Sequence, residues 1–296
     1  MKVTPICAQC LLERAVKQVH LATTDKDLQS RVVASMMELL EREFTVDSVP
    51  CYIGTDRDLL VQRMTGVDPY KDLKARSNEM ALRILPELQM SIDMMRSPVQ
   101  KFRRAALIAA AANAIEFDVA GRDFCLADFK EIVDRVESDL VVDDIEPFRR
   151  LCKQVRNVTY LVDNAGEVAL DTILISQIKR LGPRVTAVVK KGPILNDATL
   201  EDAKEVGLNS IADQVMDMGA PTIGIILNRA SEEFKQVLFS SQLIVAKGMG
   251  HYESITELKL PCPVVHILRT KCSPVADHIG VPRNKNVVLL RRPEHA

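Results

Sequence analysis

The segment Asp163-Asn164-Ala165-Gly166-Glu167 sets two oxygen-bearing side chains and a glycine between two patterned stretches. Before it runs Val158-Thr159-Tyr160-Leu161-Val162, β-branched and aromatic; after it Leu170, Ile173, Leu174 and Ile178 recur at helical spacing. This predicts a buried strand that turns into a helix. In open α/β sheets the carboxyl ends of the strands face the ligand crevice. Asp and Asn there offer hard oxygen ligands to a cation. The helix start offers N–H groups and a positive dipole end to an anion. A cation site beside an anion site suits a phosphate ester and its metal.

Two further constellations have the same placement. Arg184 to Val189 is strand-like and is followed by Lys190-Lys191-Gly192-Pro193-Ile194-Leu195-Asn196-Asp197. Leu243 to Ala246 reads as a short buried strand and is followed by Lys247-Gly248-Met249-Gly250-His251-Tyr252-Glu253. Any one of the three reads equally as a polar surface turn. Three strand ends carrying Asp/Asn, Lys/Asn/Asp and Lys/Gly/Glu point instead to one shared site.

These three segments, with Asp68-Pro69-Tyr70, Lys74, Asn78 and the Ala112-to-Asp118 stretch, resemble the metal-dependent damage-control phosphatase family, also catalogued as domain of unknown function 89. The resemblance covers nearly the whole chain, and the Cys7-x-x-Cys10 start is similar to the archaeal and short-form branch. It implies a divalent metal (manganese, cobalt, nickel or magnesium) held by Asp163, Asn164 and Asp197. It also implies hydrolysis of phosphate monoesters of small phosphorylated metabolites, either sugar phosphates or phosphorylated cofactor intermediates.

The residues assign further roles. Glu167 either orients a water or acts as a base, or it simply complements the helix dipole. Lys247 and Lys190 are candidate phosphate contacts as point charges, and Gly248 and Gly250 would let backbone N–H groups approach an anion. Asn196 either positions Asp197 or touches substrate, and Glu253 is a further contact in the third segment. Asn113 interrupts an apolar helix, where an amide must find a partner; it reaches the crevice or bonds a neighbouring helix. His251 is a doubtful acid, and His278 is expected to be structural. Other readings are weaker. A haloacid-dehalogenase-type phosphatase needs an acid at position 165, which is Ala. A dinucleotide-binding or regulatory module lacks Gly-x-Gly-x-x-Gly after the first strand. A methyltransferase lacks an adenosylmethionine loop.

Composition bounds the rest. The 296 residues are 47% hydrophobic and 27% charged, with a net charge of −1, which gives no electrostatic footprint for nucleic acid or an anionic membrane. The N-terminus shows no apolar signal region and no apolar run is long enough to span a bilayer, so a cytoplasmic location is expected. Seven cysteines form no evident disulfide framework. Cys51, Cys125, Cys152 and Cys262 read as core residues, whereas Cys7 and Cys10 suit an accessory metal or a redox pair.

Up to about residue 150 the pattern is helical with no alternating strand. Thr24-x-x-Asp27 resembles a capping box, helices are expected over 56–64, 72–88, 98–115 and 126–136, and Pro86 should end or kink the second of these. From 158 on, strands (158–162, 184–190, 214–218, 243–246, 263–268, 286–290) alternate with helices (167–181, 199–206, 231–239), and 222–227 fits either strand or buried loop. The expected fold is α/β: a mainly parallel, Rossmann-like, three-layer sheet with helices on both faces, preceded by an all-helical domain, with domains at 1–150 and 151–296.

Overall fold

The computed structural model describes residues 1–114, 131 and 135–293. Five helices come first: α1 (Pro5–Ala22), α2 (Lys26–Glu43), α3 (Pro50–Thr65), α4 (Lys71–Asp93) and α5 (Pro98–Ala114). Prolines open α1, α3 and α5, where a missing N–H costs nothing. Gly66 ends α3 in the left-handed conformation, φ 71°. The cap of α2 is Asp25, not Thr24: its carboxylate accepts the N–H groups of Asp27 and Leu28. Helix α4 runs through Pro86 without ending. Ala81, Ile84, Leu88 and Ile92 flank that proline with one continuous buried face, and this packing outweighs the local penalty. The expected helix at 126–136 lies largely outside the described residues, as do Asp118 and Cys125.

Seven strands form one sheet: β1 (Leu140–Asp143), β2 (Asn157–Leu161), β3 (Arg184–Val189), β4 (Gln214–Asp217), β5 (Ile244–Lys247), β6 (Val264–Arg269) and β7 (Asn286–Arg291). Their spatial order is β1-β7-β6-β5-β2-β3-β4, and every pairing is parallel except β6 with β7. β1 is the one strand the sequence does not show. At four residues it is too short to display alternation, and its place at the sheet edge depends on pairing with β7. Between strands lie α6 (Ile145–Cys152), α7 (Glu167–Lys179), α8 (Leu200–Glu205), α9 (Glu232–Ser240), α10 (Gly248–Ile255) and α11 (Ser273–Ile279). The segment 222–227 is a loop, buried at Thr222, Gly224, Ile225 and Ile226.

Strand residues alternate between two cores, as a three-layer fold requires. Tyr160, Ala187, Val245 and Ile267 join the core under α4, α5 and α7. Leu161, Val188, Ala246 and Val264 join Phe234, Leu238 and Ile255 on the opposite face. The chain steps from β2 outward through β3 and β4, then returns to β5 on the other side of β2. The carboxyl end of β2 therefore sits at the topological switch point, with β3 and β5 as its neighbours. No helix among the described residues is long and apolar enough to cross a membrane.

Candidate active site

Three loops and α4 assemble the site. In the β2–α7 turn, Gly166 has φ 74°, and a Cβ there would lie 2.8 Å from the Ser77 carbonyl oxygen of α4. Only glycine allows that approach. Its N–H donates to Asn78 Oδ1 at 2.7 Å, while Asn78 Nδ2 donates to Asp202 and Glu205 of the β3–α8 region. Lys74 pairs with Asp202 at 2.8 Å. The α4 residues singled out in the sequence thus rivet two site loops together.

Those two loops also bond directly. Ala165 N–H donates to the Asn196 carbonyl, and Ala198 N–H to the Asp163 carbonyl, at 2.9 and 2.8 Å. Asn164 and Asp197 form a bridge between them. Leu195 holds φ 46°, a rare conformation for a non-glycine residue, with its N–H donating to Asp58 Oδ2 at 3.3 Å. The two carboxylates and the amide expected to hold a metal are therefore brought together from two strand ends.

The third loop is shorter than the sequence suggests, because Gly248-Met249-Gly250 is already the first turn of α10. Gly248 has φ 76°, and a Cβ there would fall 1.9 Å from Asp163 Oδ2. A Cβ on Gly250 would fall 2.7 Å from Ile223 Cγ2, so this glycine serves packing against the 222–227 loop. The helix start of α7 is less open than expected: the N–H groups of Ala165, Gly166 and Val168 bond Asn196, Asn78 and Asn164. The first-turn amides of α10 remain the better anion donors beside Asp163, since early helix N–H groups have no intrahelical partner.

The side chains form a linked set. Asp163 Oδ2 accepts from Asn113 Nδ2 at 2.9 Å and Asn164 Nδ2 at 3.0 Å. Glu167 Oε2 accepts from the same two amides, at 3.2 and 3.0 Å. Asn113, 3% exposed, thus reaches the crevice from α5, and its Oδ1 accepts the Arg269 N–H. Lys247 is fully buried. Its ammonium donates to Glu167 Oε1 at 2.5 Å, Asp171 Oδ1 at 2.7 Å and the Ala109 carbonyl at 2.9 Å. Its three donors all have protein acceptors, so it sits behind the carboxylates and has no donor left for phosphate.

Lys190 is also buried, 3.6 Å from Asp197 Oδ2, and donates to the Gly224 carbonyl at 3.3 Å. His251 Nδ1 faces the Lys247 carbonyl at 2.8 Å and must carry the proton there. Its Nε2 therefore accepts from Lys190, 3.2 Å away. Burial and the Lys190 charge hold His251 well below the ordinary histidine pKa, so it is a neutral support and not an acid. Glu253 lies apart from the Asp163 set. It accepts a hydrogen bond from the Cys51 thiol, and burial pushes it up to about 7. Asn196 is half-buried and holds Ala165 through its carbonyl. Of the thiols, Cys7 Sγ accepts the Thr4 N–H at the start of α1 at 3.4 Å, while Cys10 is exposed. Cys51, Cys152 and Cys262 are core residues, and His278 supports the Tyr252 hydroxyl.

The carboxylates repel one another. Loss of solvent, then the charges of Glu167 and Asp197, raise Asp163 well above the usual carboxylate range. Burial pushes Asp197 up to about 6 against the pull of Lys190, and Asp171 up to about 6 against the pull of Lys247. Burial pulls Lys190 below the ordinary lysine value. Lys247 stays above it because Asp171 and Glu167 outweigh the cost of burial. The four buried carboxylates (Asp163, Glu167, Asp171, Asp197) against the two buried ammonium groups (Lys190, Lys247) leave a formal charge of −2, which the half-buried Lys271 offsets in part. A divalent cation fits this donor set: two carboxylates and an amide at its mouth, with excess negative charge behind. Among the described residues no group of three or more His, Cys, Asp or Glu side chains is arranged to hold a metal ion; the expected donors are two carboxylates and an amide, Asp163, Asp197 and Asn164.

Sequence reasoning passes over two residues. Lys271, half-buried after β6, is close enough that its charge lowers the pKa of Asp163. Its place at a fourth parallel strand end was the available signal. Asp171 lies one helical turn after Glu167 between the apolar residues Leu170 and Ile173, a spacing that could have marked it.

The family model for the damage-control phosphatase ARMT1-like domain matches residues 3–287. The damage-control phosphatase of Archaeoglobus fulgidus is 35% identical, over 95% of this chain and 96% of the relative. That of Pyrococcus horikoshii is 30% identical over 99% of both chains. The crystal structure of a DUF89 family protein from Pyrococcus horikoshii superposes with a TM-score of 0.89 at 30% identity, covering 99% of this chain and 100% of that one.

Proposed function

The chain belongs to the damage-control phosphatase ARMT1-like family, and on that premise we propose that it hydrolyses phosphate monoesters of small metabolites with a divalent cation held by Asp163, Asn164 and Asp197. The observation that carries this is the −2 charge gathered at the switch point of the sheet, where two strand ends are bonded to each other. When bound, a divalent cation polarises the phosphoryl group and activates water. Manganese, cobalt, nickel and magnesium all suit oxygen ligands of this kind.

The chain's own residues supply the rest. Asn113 and Asn164 hold the carboxylates of Asp163 and Glu167 at fixed angles. With both amide hydrogens of Asn164 turned to those carboxylates, its carbonyl oxygen is left to the cation. Glu167 is an orienting group rather than a base, because both its oxygens already accept hydrogen bonds. The first-turn amides of α10 and the ammonium of Lys271 would take the phosphoryl oxygens. A phosphoryl transition state needs this neutralisation more than a covalent partner. The resemblance to the family makes sugar phosphates or phosphorylated cofactor intermediates the substrate class.

Hydrolysis of p-nitrophenyl phosphate with and without added manganese, cobalt, nickel or magnesium tests the reading. Activity should require the ion and disappear with a chelator, and Asp163→Ala and Asp197→Ala should each abolish it while keeping the fold. Full turnover by metal-stripped protein would refute the mechanism. Ion binding without turnover on any phosphate ester would favour a binding module.

A further inference from the structure

Asp171 never reaches the crevice, yet it is bound into the same chain of contacts. Its Oδ1 accepts from both Lys247 Nζ at 2.7 Å and the Tyr160 hydroxyl at 2.9 Å. Its Oδ2 is buried and has no hydrogen-bond partner among the described residues. Tyr160, Asp171 and Lys247 are all fully buried. A carboxylate placed there with half its acceptors unmet is costly unless its charge has a use.

The use lies in how Lys247 is shared. One ammonium facing only Glu167 would neutralise it. Facing Glu167 and Asp171 together, it leaves the pair with one net negative charge. That charge is passed forward, because Glu167 Oε2 holds the amides of Asn164 and Asn113, which in turn hold Asp163. We propose that Asp171 is a positioning residue for the divalent cation: by dividing the Lys247 ammonium with Glu167 it keeps the site's excess negative charge, and so sets cation affinity from behind the ligands without touching the ion. This rests on the metal-dependent reading above. It adds that a group outside the ligand set supplies one of the two excess charges.

The test is manganese affinity measured by titration calorimetry at pH 7.5, a readout independent of turnover. Asp171→Asn keeps the size of the side chain and an acceptor for Tyr160 and Lys247 but removes the charge. Its affinity should fall about tenfold or more, the scale expected for one partly screened charge at this range. The double variant Asp171→Asn with Lys247→Met removes one charge of each sign, restores the formal −2, and should recover to within about threefold of wild type. Tyr160→Phe removes a hydrogen bond but no charge and should also stay within about threefold. An unchanged affinity in Asp171→Asn, a double variant as weak as the single, or a tenfold fall in Tyr160→Phe would each overturn the proposal. If Asp171→Asn fails to fold, the double variant still decides, since a tenfold loss there refutes charge sharing. Wild-type protein that binds no divalent cation would sink the metal-dependent reading itself. Wild-type binding that survives Asp171→Asn unchanged sinks only this inference.

Discussion

Gly248→Ala offers the sharpest probe of how the site is built. The substitution adds one methyl at a position with φ 76°, where the ideal Cβ falls 1.9 Å from Asp163 Oδ2, 2.3 Å from its Cγ and 2.7 Å from its Oδ1. The left-handed conformation alone costs a non-glycine residue about 1–2 kcal/mol. The clash is the larger effect. To restore an ordinary carbon–oxygen contact the carboxylate must withdraw by more than about 1 Å. That movement breaks the bonds from Asn113 and Asn164 to Asp163 Oδ2, now 2.9 and 3.0 Å, and takes the carboxylate off its partner loop. A displacement of that size at a reacting centre costs about 10²-fold in rate. Gly207→Ala is the matched control. Gly207 has φ 74°, close to that of Gly248, but nothing lies within 4 Å of its Cβ position.

The assay is kcat/KM for p-nitrophenyl phosphate across a manganese titration, with thermal melting alongside. Gly207→Ala should lose about 1 kcal/mol of stability from backbone strain and keep wild-type turnover. Gly248→Ala should lose about two orders of magnitude in kcat/KM and require more manganese. Wild-type turnover and metal response in Gly248→Ala would refute the placement of Asp163 at the centre of the site. Equal activity losses in both variants would show that strain, not the carboxylate, is responsible.

Lys271→Ala should raise KM for a phosphate ester by about tenfold and strengthen manganese binding, because its ammonium meets phosphate and its charge opposes the cation; a KM unchanged from wild type would leave the phosphoryl contact to the first-turn amides of α10. In metal-free protein, Asp171 and Asp197 are pushed up to about 6 when folded, against 3.8 as the ordinary value. Through these two groups the folded state holds more protons than the unfolded one between about pH 4 and 6, so their contribution to stability falls as pH rises through that window; Asp163 and Glu253 act in the same sense and the buried neutral His251 in the opposite one. Saturating manganese should reverse the trend. Denaturant midpoints across pH 4–8 with a chelator, for wild type and Asp197→Asn, check this, and a variant that keeps the full wild-type pH dependence would contradict it.

What the sequence revealed and what it hid follow from how far each constraint reaches along the chain. Strands β2 to β7 show because each is a short apolar run bounded by turn residues, and the strand ends carry the site chemistry in the same local windows. β1 hides because its only justification is a partner nearly 150 residues later. The unbroken passage of α4 through Pro86 hides for the same reason: the face that outweighs the local penalty is a tertiary surface. Lys247 is the most instructive case. A lysine ahead of Gly-x-Gly at a strand end has the local context of a phosphate contact, and nothing within ten residues says otherwise. Its partners, Glu167, Asp171 and the Ala109 carbonyl, lie 76 to 138 residues away and bury it completely. Segment patterns can name which residue types gather at a sheet's carboxyl edge, because that edge is a property of each strand. They cannot rank those residues by depth, because depth is set by which helix covers them. The ammonium that the motif presents as a ligand for phosphate is, once α5 and α7 close over it, the counter-charge shared by two carboxylates behind the site.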